Sequence, residues 1–116
     1  MKVLIVDDDP LMRELASFAL SAEPGFDVRD ADGGAAAIVL LQSSGWRPDL
    51  VLLDMQMPDM DGAATFARLP RDLCVAIMTA APDEAAPLLA LGAIGVVTKP
   101  IDPATFAETV QSFNMG

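Results

Sequence analysis

Two adjacent carboxylates at Asp7 and Asp8, a third at Asp54, a hydroxyl at Thr79 and an amine at Lys99 form a chemically complementary set. The three carboxylates supply hard oxygen ligands with no histidine or thiolate beside them, a donor set that suits Mg²⁺ or Mn²⁺. A divalent ion would relieve the repulsion between acids held so close. Asp54 could then act as a carboxylate nucleophile and take up a phosphoryl group as an acyl phosphate. The metal would neutralise part of the phosphoryl charge, while Lys99 as a compact cation and Thr79 as a hydroxyl donor would hold the remaining oxygens. Taken singly, each group has an ordinary reading. An Asp at a strand end commonly caps a helix or opens a turn, Thr79 could cap the next helix, and Lys99 could be a surface lysine. Their shared position, always just past a strand, makes the set specific.

The elements that must carry these groups follow from hydrophobic patterning. The apolar runs Val3-Leu4-Ile5-Val6, Leu50-Val51-Leu52-Leu53, Val75-Ala76-Ile77-Met78 and Val96-Val97 are rich in the β-branched residues of buried parallel strands. Strands are expected at 2–6, 26–30, 49–53, 74–78 and 95–98. Between them lie helical patterns. One starts at Pro10 with Leu11, Leu15, Phe18, Ala19 and Ala22 at helical spacing and closes at Pro24-Gly25. An alanine-rich helix carrying Ile38, Leu40 and Leu41 runs from Gly33-Gly34 to Ser43-Ser44-Gly45, and Trp46 in the next loop is expected to cap the core. The turn residues of Met57-Pro58-Asp59-Met60-Asp61-Gly62 mark a loop, followed by a short helix at 63–69 that Pro70 ends. A helix at 83–91 requires Pro87 in its first turn, and a last helix is expected at 103–113, with Ile101, Phe106, Val110 and Phe113 as apolar positions. Strands alternating with helices make repeated βα units around a mainly parallel sheet, an α/β fold. In such sheets a ligand sits outside the carboxyl ends of the strands, where the five polar groups lie.

Length and charge narrow the classes further. The 116 residues have the size of one domain, 1–116, and no effector domain is expected within them. Seventeen acids against seven bases give a net charge of −10, which argues against direct nucleic-acid binding or an anionic membrane as partner. No stretch reaches the roughly 18 apolar residues of a membrane span, and the aspartates at 7 to 9 break the pattern of a signal peptide, so a cytoplasmic protein without membrane insertion is expected. The lone Cys74 excludes an internal disulfide and reads as a small core residue. With no histidine, zinc sites and histidine acid/base chemistry fall away, and the chain cannot carry phosphate as phosphohistidine.

The segments Val6-Asp7-Asp8-Asp9-Pro10, Leu53-Asp54-Met55-Gln56-Met57-Pro58-Asp59-Met60-Asp61-Gly62, Met78-Thr79-Ala80 and Thr98-Lys99-Pro100 resemble the receiver domain of bacterial two-component response regulators, particularly stand-alone chemotaxis-type receivers. That resemblance implies a doubly wound, flavodoxin-like, five-stranded parallel sheet of order 2-1-3-4-5 with five helices, for which chemotaxis receivers are a standard instance. It implies that Asp54 accepts phosphate from the phosphohistidine of a sensor histidine kinase or a histidine phosphotransfer protein. Asp7, Asp8, Asp54 and the main-chain carbonyl of Gln56 would hold Mg²⁺ (or Mn²⁺), Lys99 and Thr79 would contact the phosphoryl group, and Gln56 and Ala81 would tune phosphate lifetime. In the family the threonine moves toward the phosphate and an aromatic residue turns inward, changing the surface of the fourth helix, fifth strand and fifth helix. Here Val96 occupies the aromatic switch position, Ile101 replaces the usual phenylalanine after Lys-Pro, and Pro70, Pro82 and Pro87 shorten the neighbouring helices. Alternatives are a constitutive protein-interaction module and a receiver cut from a larger regulator or hybrid kinase. A small phosphatase using Asp54 ranks below them, because Gln56 stands where a second acid would be needed.

Overall fold

The computed structural model describes residues 1–58 and 60–113; Asp59 of the expected loop and residues 114–116 lie outside the described residues. Five strands, β1 (Lys2–Val6), β2 (Asp27–Ala31), β3 (Leu50–Asp54), β4 (Cys74–Thr79) and β5 (Gly95–Thr98), form one parallel sheet in the order β2-β1-β3-β4-β5. Strand positions match the sequence expectation within one residue. Side chains alternate between two cores. Leu4, Val6, Val51, Leu53, Val75 and Ile77 point to one face of the sheet, while Val3, Ile5, Leu50, Leu52, Ala76 and Met78 point to the other. A strand buried on both faces must be apolar at every position, which explains unbroken runs where a half-exposed strand would alternate.

Helices cover both faces. The second core includes residues of α1 (Pro10–Ser21) and α5 (Phe106–Gln111), the first residues of α2 (Gly34–Ser43) and α4 (Ala86–Ala90), with Phe66 of α3 (Gly62–Arg68) packed against it. Leu20 and Phe106 are almost completely buried, each contributing about 1.5–3 kcal/mol relative to exposure. Trp46 caps the core as expected: it is buried, its Nε1–H donates to Asp27 Oδ2 at 3.0 Å, and the Arg29 guanidinium lies 4.7 Å from its ring centre.

Three helical expectations need correction. In α1 the buried residues are Ala16, Ala19 and Leu20, with Met12 packed beside them, whereas Leu11, Leu15 and Phe18 are exposed. Two apolar stripes compete on this helix, and the sheet takes the one rich in alanine, which permits a closer approach. The helix expected at 83–91 divides into a 3₁₀ turn over Pro82–Ala85 and the short α4, with Pro87 in the first turn of α4. Proline lacks the N–H that would continue an α-helix through this point, whereas early helix positions tolerate it. The last helix covers only Phe106–Gln111, because Asp102 draws the preceding residues into a turn by accepting from the Ala104 N–H. Its expected apolar positions are nevertheless packed: Ile101, Phe106 and Val110 are buried, and Phe113 lies against them. Among the described residues no helix is long and apolar enough to cross a membrane.

Candidate functional site

Each element delivers its polar group to the carboxyl edge of the sheet. Asp7 follows β1 directly and is completely buried; its N–H donates to the Ala31 carbonyl at the end of β2, 3.2 Å away, and its Oδ1 accepts from the Asp9 N–H at 3.0 Å. Asp9 then caps α1 by accepting from the Leu11 N–H, leaving Asp8 exposed at the rim. Asp54 is the last residue of β3. Behind it Gly62 opens α3, and a Cβ there would fall 2.6 Å from the Asp54 carbonyl oxygen and 2.7 Å from Met55 Cα, so only glycine permits this approach. Thr79 ends β4, and its carbonyl accepts from the Lys99 N–H at 2.9 Å, which brings Lys99 beside it just past β5. The Lys99-Pro100 peptide bond is cis.

The side chains converge. Lys99 Nζ donates to Asp7 Oδ2 at 2.8 Å and to Asp54 Oδ1 at 2.9 Å. Carboxylate oxygens of Asp7, Asp8 and Asp54 lie within 4.8 Å of one another. Asp54, Met55, Gln56, Thr79, Ala80, Ala81 and Lys99 line a cavity of about 260 Å³. Thr79 is buried, and its hydroxyl serves the adjoining turn, accepting from the Ala81 N–H at 3.0 Å and lying 3.3 Å from the Ala81 carbonyl. Across the mouth, Gln56 Nε2 donates to Glu84 Oε2 at 3.3 Å. Every site residue expected from sequence is therefore at this edge except Val96, which sits opposite Ile77 on the β4–β5 ladder, half-buried against the core.

Electrostatics follow from burial. Desolvation raises the Asp54 carboxyl above the ordinary value of 3.8, and the Asp7 charge adds to that, outweighing the hydrogen bond and charge of Lys99 and a main-chain hydrogen bond from Gln56. Desolvation pulls Lys99 downward, but the hydrogen bonds and charges of Asp7 and Asp54 prevail and hold it above the usual lysine value. A buried carboxylate paired with one ammonium and crowded by a second acid has capacity for another cation. The all-oxygen donor set suits a hard divalent cation such as Mg²⁺ or Mn²⁺.

Arg13 is a member of this region that the sequence reading did not single out. Its Nη1–H donates to the Asp7 main-chain carbonyl at 2.8 Å. A positive charge near the N-terminus of a helix opposes the helix dipole, and that local inconsistency was the available signal. A separate groove of about 250 Å³ at the other end of β4, lined by Phe66, Leu69, Arg71, Leu73, Val75 and Leu91, is remote from this chemistry.

Residues 3–111 match the family model described as the response regulator receiver domain. The chain is 40% identical over 114 residues to a protein-glutamate methylesterase/protein-glutamine glutaminase of Anaeromyxobacter dehalogenans, covering 93% of this chain and 33% of that protein. It is 36% identical over 116 residues to the positive alginate biosynthesis regulatory protein of Pseudomonas aeruginosa, covering 96% of this chain and 46% of the relative. The chain thus spans a third to a half of these two relatives. Among solved structures, chemotaxis response regulator CheY4 of Vibrio cholerae superposes with a TM-score of 0.83 at 29% identity, over 95% of both chains. The receiver domain of the response regulator NarL from Mycobacterium tuberculosis gives 0.78 at 35% identity, over 95% of this chain and 92% of that one.

Proposed function

The chain belongs to the response regulator receiver family, and from that premise we propose that it is the phosphoacceptor of a two-component pathway, phosphorylated on Asp54. The observation that carries this reading is the buried cluster in which Lys99 bridges Asp7 and Asp54 beside an open cavity. A constitutive interaction module would have no need to keep two carboxylates and an amine together out of water, where such groups are costly unless paired.

In this reading an Asp54 carboxylate oxygen attacks the phosphorus of a phosphohistidine, the P–N bond breaks, and the donor imidazole leaves with its electron pair. Burial makes the Asp54 carboxylate more basic and so a better nucleophile. Asp7, Asp8, Asp54 and the Gln56 carbonyl would hold Mg²⁺, which would supply charge neutralisation for the phosphoryl group. Lys99 exchanges an Asp54 oxygen for a phosphoryl oxygen, and Thr79 releases Ala81 to donate its hydroxyl to another. Gln56 and Ala81 line the water-facing mouth and influence how long the acyl phosphate survives. The protein is a phosphoacceptor and not a turnover enzyme, and the methylesterase activity named for one relative is not assigned to it. A cytoplasmic location fits this role.

The partner side follows from α1. Leu11, Leu15 and Phe18 form an exposed apolar stripe on the helix that starts at the pocket, and contiguous exposed apolar surface marks a contact site. We assign this stripe to the sensor kinase or histidine phosphotransfer protein that brings the phosphohistidine. Intact-mass spectrometry after incubation with acetyl phosphate and Mg²⁺ tests the central claim. The wild-type chain should gain one phosphoryl group and Asp54→Ala none; equal labelling of both removes the proposal.

A further inference from the structure

We propose that Arg13 is the positioning residue of the acidic pair, with Asp30 orienting its guanidinium, so that together they set where Asp7 and Asp8 present their carboxylates to a divalent cation. This rests on the reading above that Asp7, Asp8 and Asp54 hold such an ion.

Arg13 projects from α1 with only 20% of its side chain exposed. Nη1 lies 2.8 Å from the Asp7 main-chain oxygen, and Nε lies 3.7 Å from Asp30 Oδ2 just before the end of β2. Both ladders of β1 end at Val6, opposite Ala31 of β2 and Leu53 of β3, so the Asp7 carbonyl lies past the last paired residue of its strand. Arg13 supplies the donor that this carbonyl would otherwise lack. The Asp7 N–H is already bound to the Ala31 carbonyl. The residue is therefore held twice, by β2 through its N–H and by Arg13 of α1 through its carbonyl.

The consequence passes to Asp8 through covalent geometry. The carbonyl of Asp7 lies in one rigid peptide plane with the N–H and Cα of Asp8. Fixing that oxygen fixes the direction in which Asp8 leaves the strand. Asp8 is exposed and the Lys99 hydrogen bond goes to Asp7, so this plane is the link through which Arg13 reaches Asp8.

Charge and geometry pull in opposite directions here. A guanidinium near a cation site repels the cation, so on charge alone its removal would tighten binding. Asp30 pairs with that charge and solvent reaches the pair, which weakens the repulsion. Loss of a hydrogen bond that orients a ligand typically lowers metal affinity by about 10–100-fold. Geometry therefore prevails, and the two effects predict opposite signs.

The test uses Mn²⁺ as probe, with bound and free ion measured by electron paramagnetic resonance on the full chain and melting temperature recorded without metal. Arg13→Met should weaken Mn²⁺ binding about tenfold or more. Arg13→Lys keeps the charge but carries its donors on a single nitrogen and cannot reach both partners, so its affinity should fall between wild type and Arg13→Met. Asp30→Asn should cause a smaller loss. Equal or tighter binding by Arg13→Met overturns the proposal. If Arg13→Met does not fold, Arg13→Lys decides, and wild-type affinity in that variant is the overturning result. Failure of wild type itself to bind Mn²⁺, with Asp8→Asn indistinguishable from it, removes the underlying metal reading as well.

Discussion

Lys99 reaches Asp54 across 45 residues of sequence, Nζ to Oδ1 at 2.9 Å, and the same ammonium also holds Asp7. Before any phosphoryl group arrives, the pocket is thus already neutralised in part. The amine assigned to the incoming phosphoryl charge also keeps the acceptor carboxylate folded into the sheet edge.

Lys99→Met should therefore cost stability as well as phosphorylation. It strands two buried acids, and removing one member of such a cluster costs about 2–3 kcal/mol, the lower part of the range because Lys99 is partly solvated. Urea denaturation at neutral pH measures this as a lower midpoint with an unchanged slope. The deficit should shrink in acid as the Asp54 carboxyl protonates.

Asp54→Asn should do the reverse. The folded-state value of Asp54 is raised above 3.8, so as pH rises past 3.8 the unfolded chain releases this proton first. Stability falls with rising pH until the folded-state value is passed, and the ionised carboxylate remains a penalty above it. The variant should melt higher than wild type near pH 7, and the two should converge below pH 3.8. Thermal scans across that range check the sign, while intact-mass analysis should find no phosphorylation.

Binding of Mg²⁺ to the native state should raise the melting temperature. At a concentration one hundred times the dissociation constant the stabilisation is about 2.7 kcal/mol. Asp8→Asn should remove most of the effect, and a melting curve equally shifted in that variant contradicts the assignment.

Gly62→Ala should cost about 2 kcal/mol, since its methyl group would meet backbone at 2.6 Å and cannot be accommodated by a side-chain rotation. Because that backbone belongs to Asp54, labelling by acetyl phosphate should slow as well. Comparing initial labelling rates at a temperature where both proteins are folded separates the two effects.

Phe18→Asp should leave the fold within about 0.5 kcal/mol of wild type, because the residue is 73% exposed. Transfer from a protein phosphohistidine donor should drop about tenfold or more, as the loss of an interface aromatic implies. Labelling by acetyl phosphate should be unchanged. Equal loss with both donors places the defect in the pocket and removes α1 as the docking face.

The strand tips were legible because a polar residue interrupting a buried apolar run is a local signal, and Asp54, Thr79 and Lys99 each carry it. The face of α1 was not. Leu11, Leu15 and Phe18 satisfy helical spacing as well as Met12, Ala16, Ala19 and Leu20 do, and only contact with the sheet chooses between them. The division of the 83–91 helix depended on where Pro87 fell relative to the first helical turn, a boundary that periodicity alone does not locate. Arg13 was only faintly legible: its partner is a main-chain oxygen, which leaves no trace in residue type, and a cation early in a helix was the sole hint.

The Thr79 hydroxyl is not idle in this state, since it holds the Ala81 N–H at the start of the 3₁₀ turn. Turning it toward a phosphoryl oxygen exchanges a neutral hydrogen bond, worth about 1 kcal/mol, for a charge-assisted one worth about 1.5–3 kcal/mol. The difference of roughly 0.5–2 kcal/mol biases the two conformations by only about two- to thirtyfold. A receiver relying on that exchange alone, with Val96 where an aromatic rotor would stand, would shift its population by a modest factor, far short of the roughly 10⁴-fold that an all-or-none switch requires.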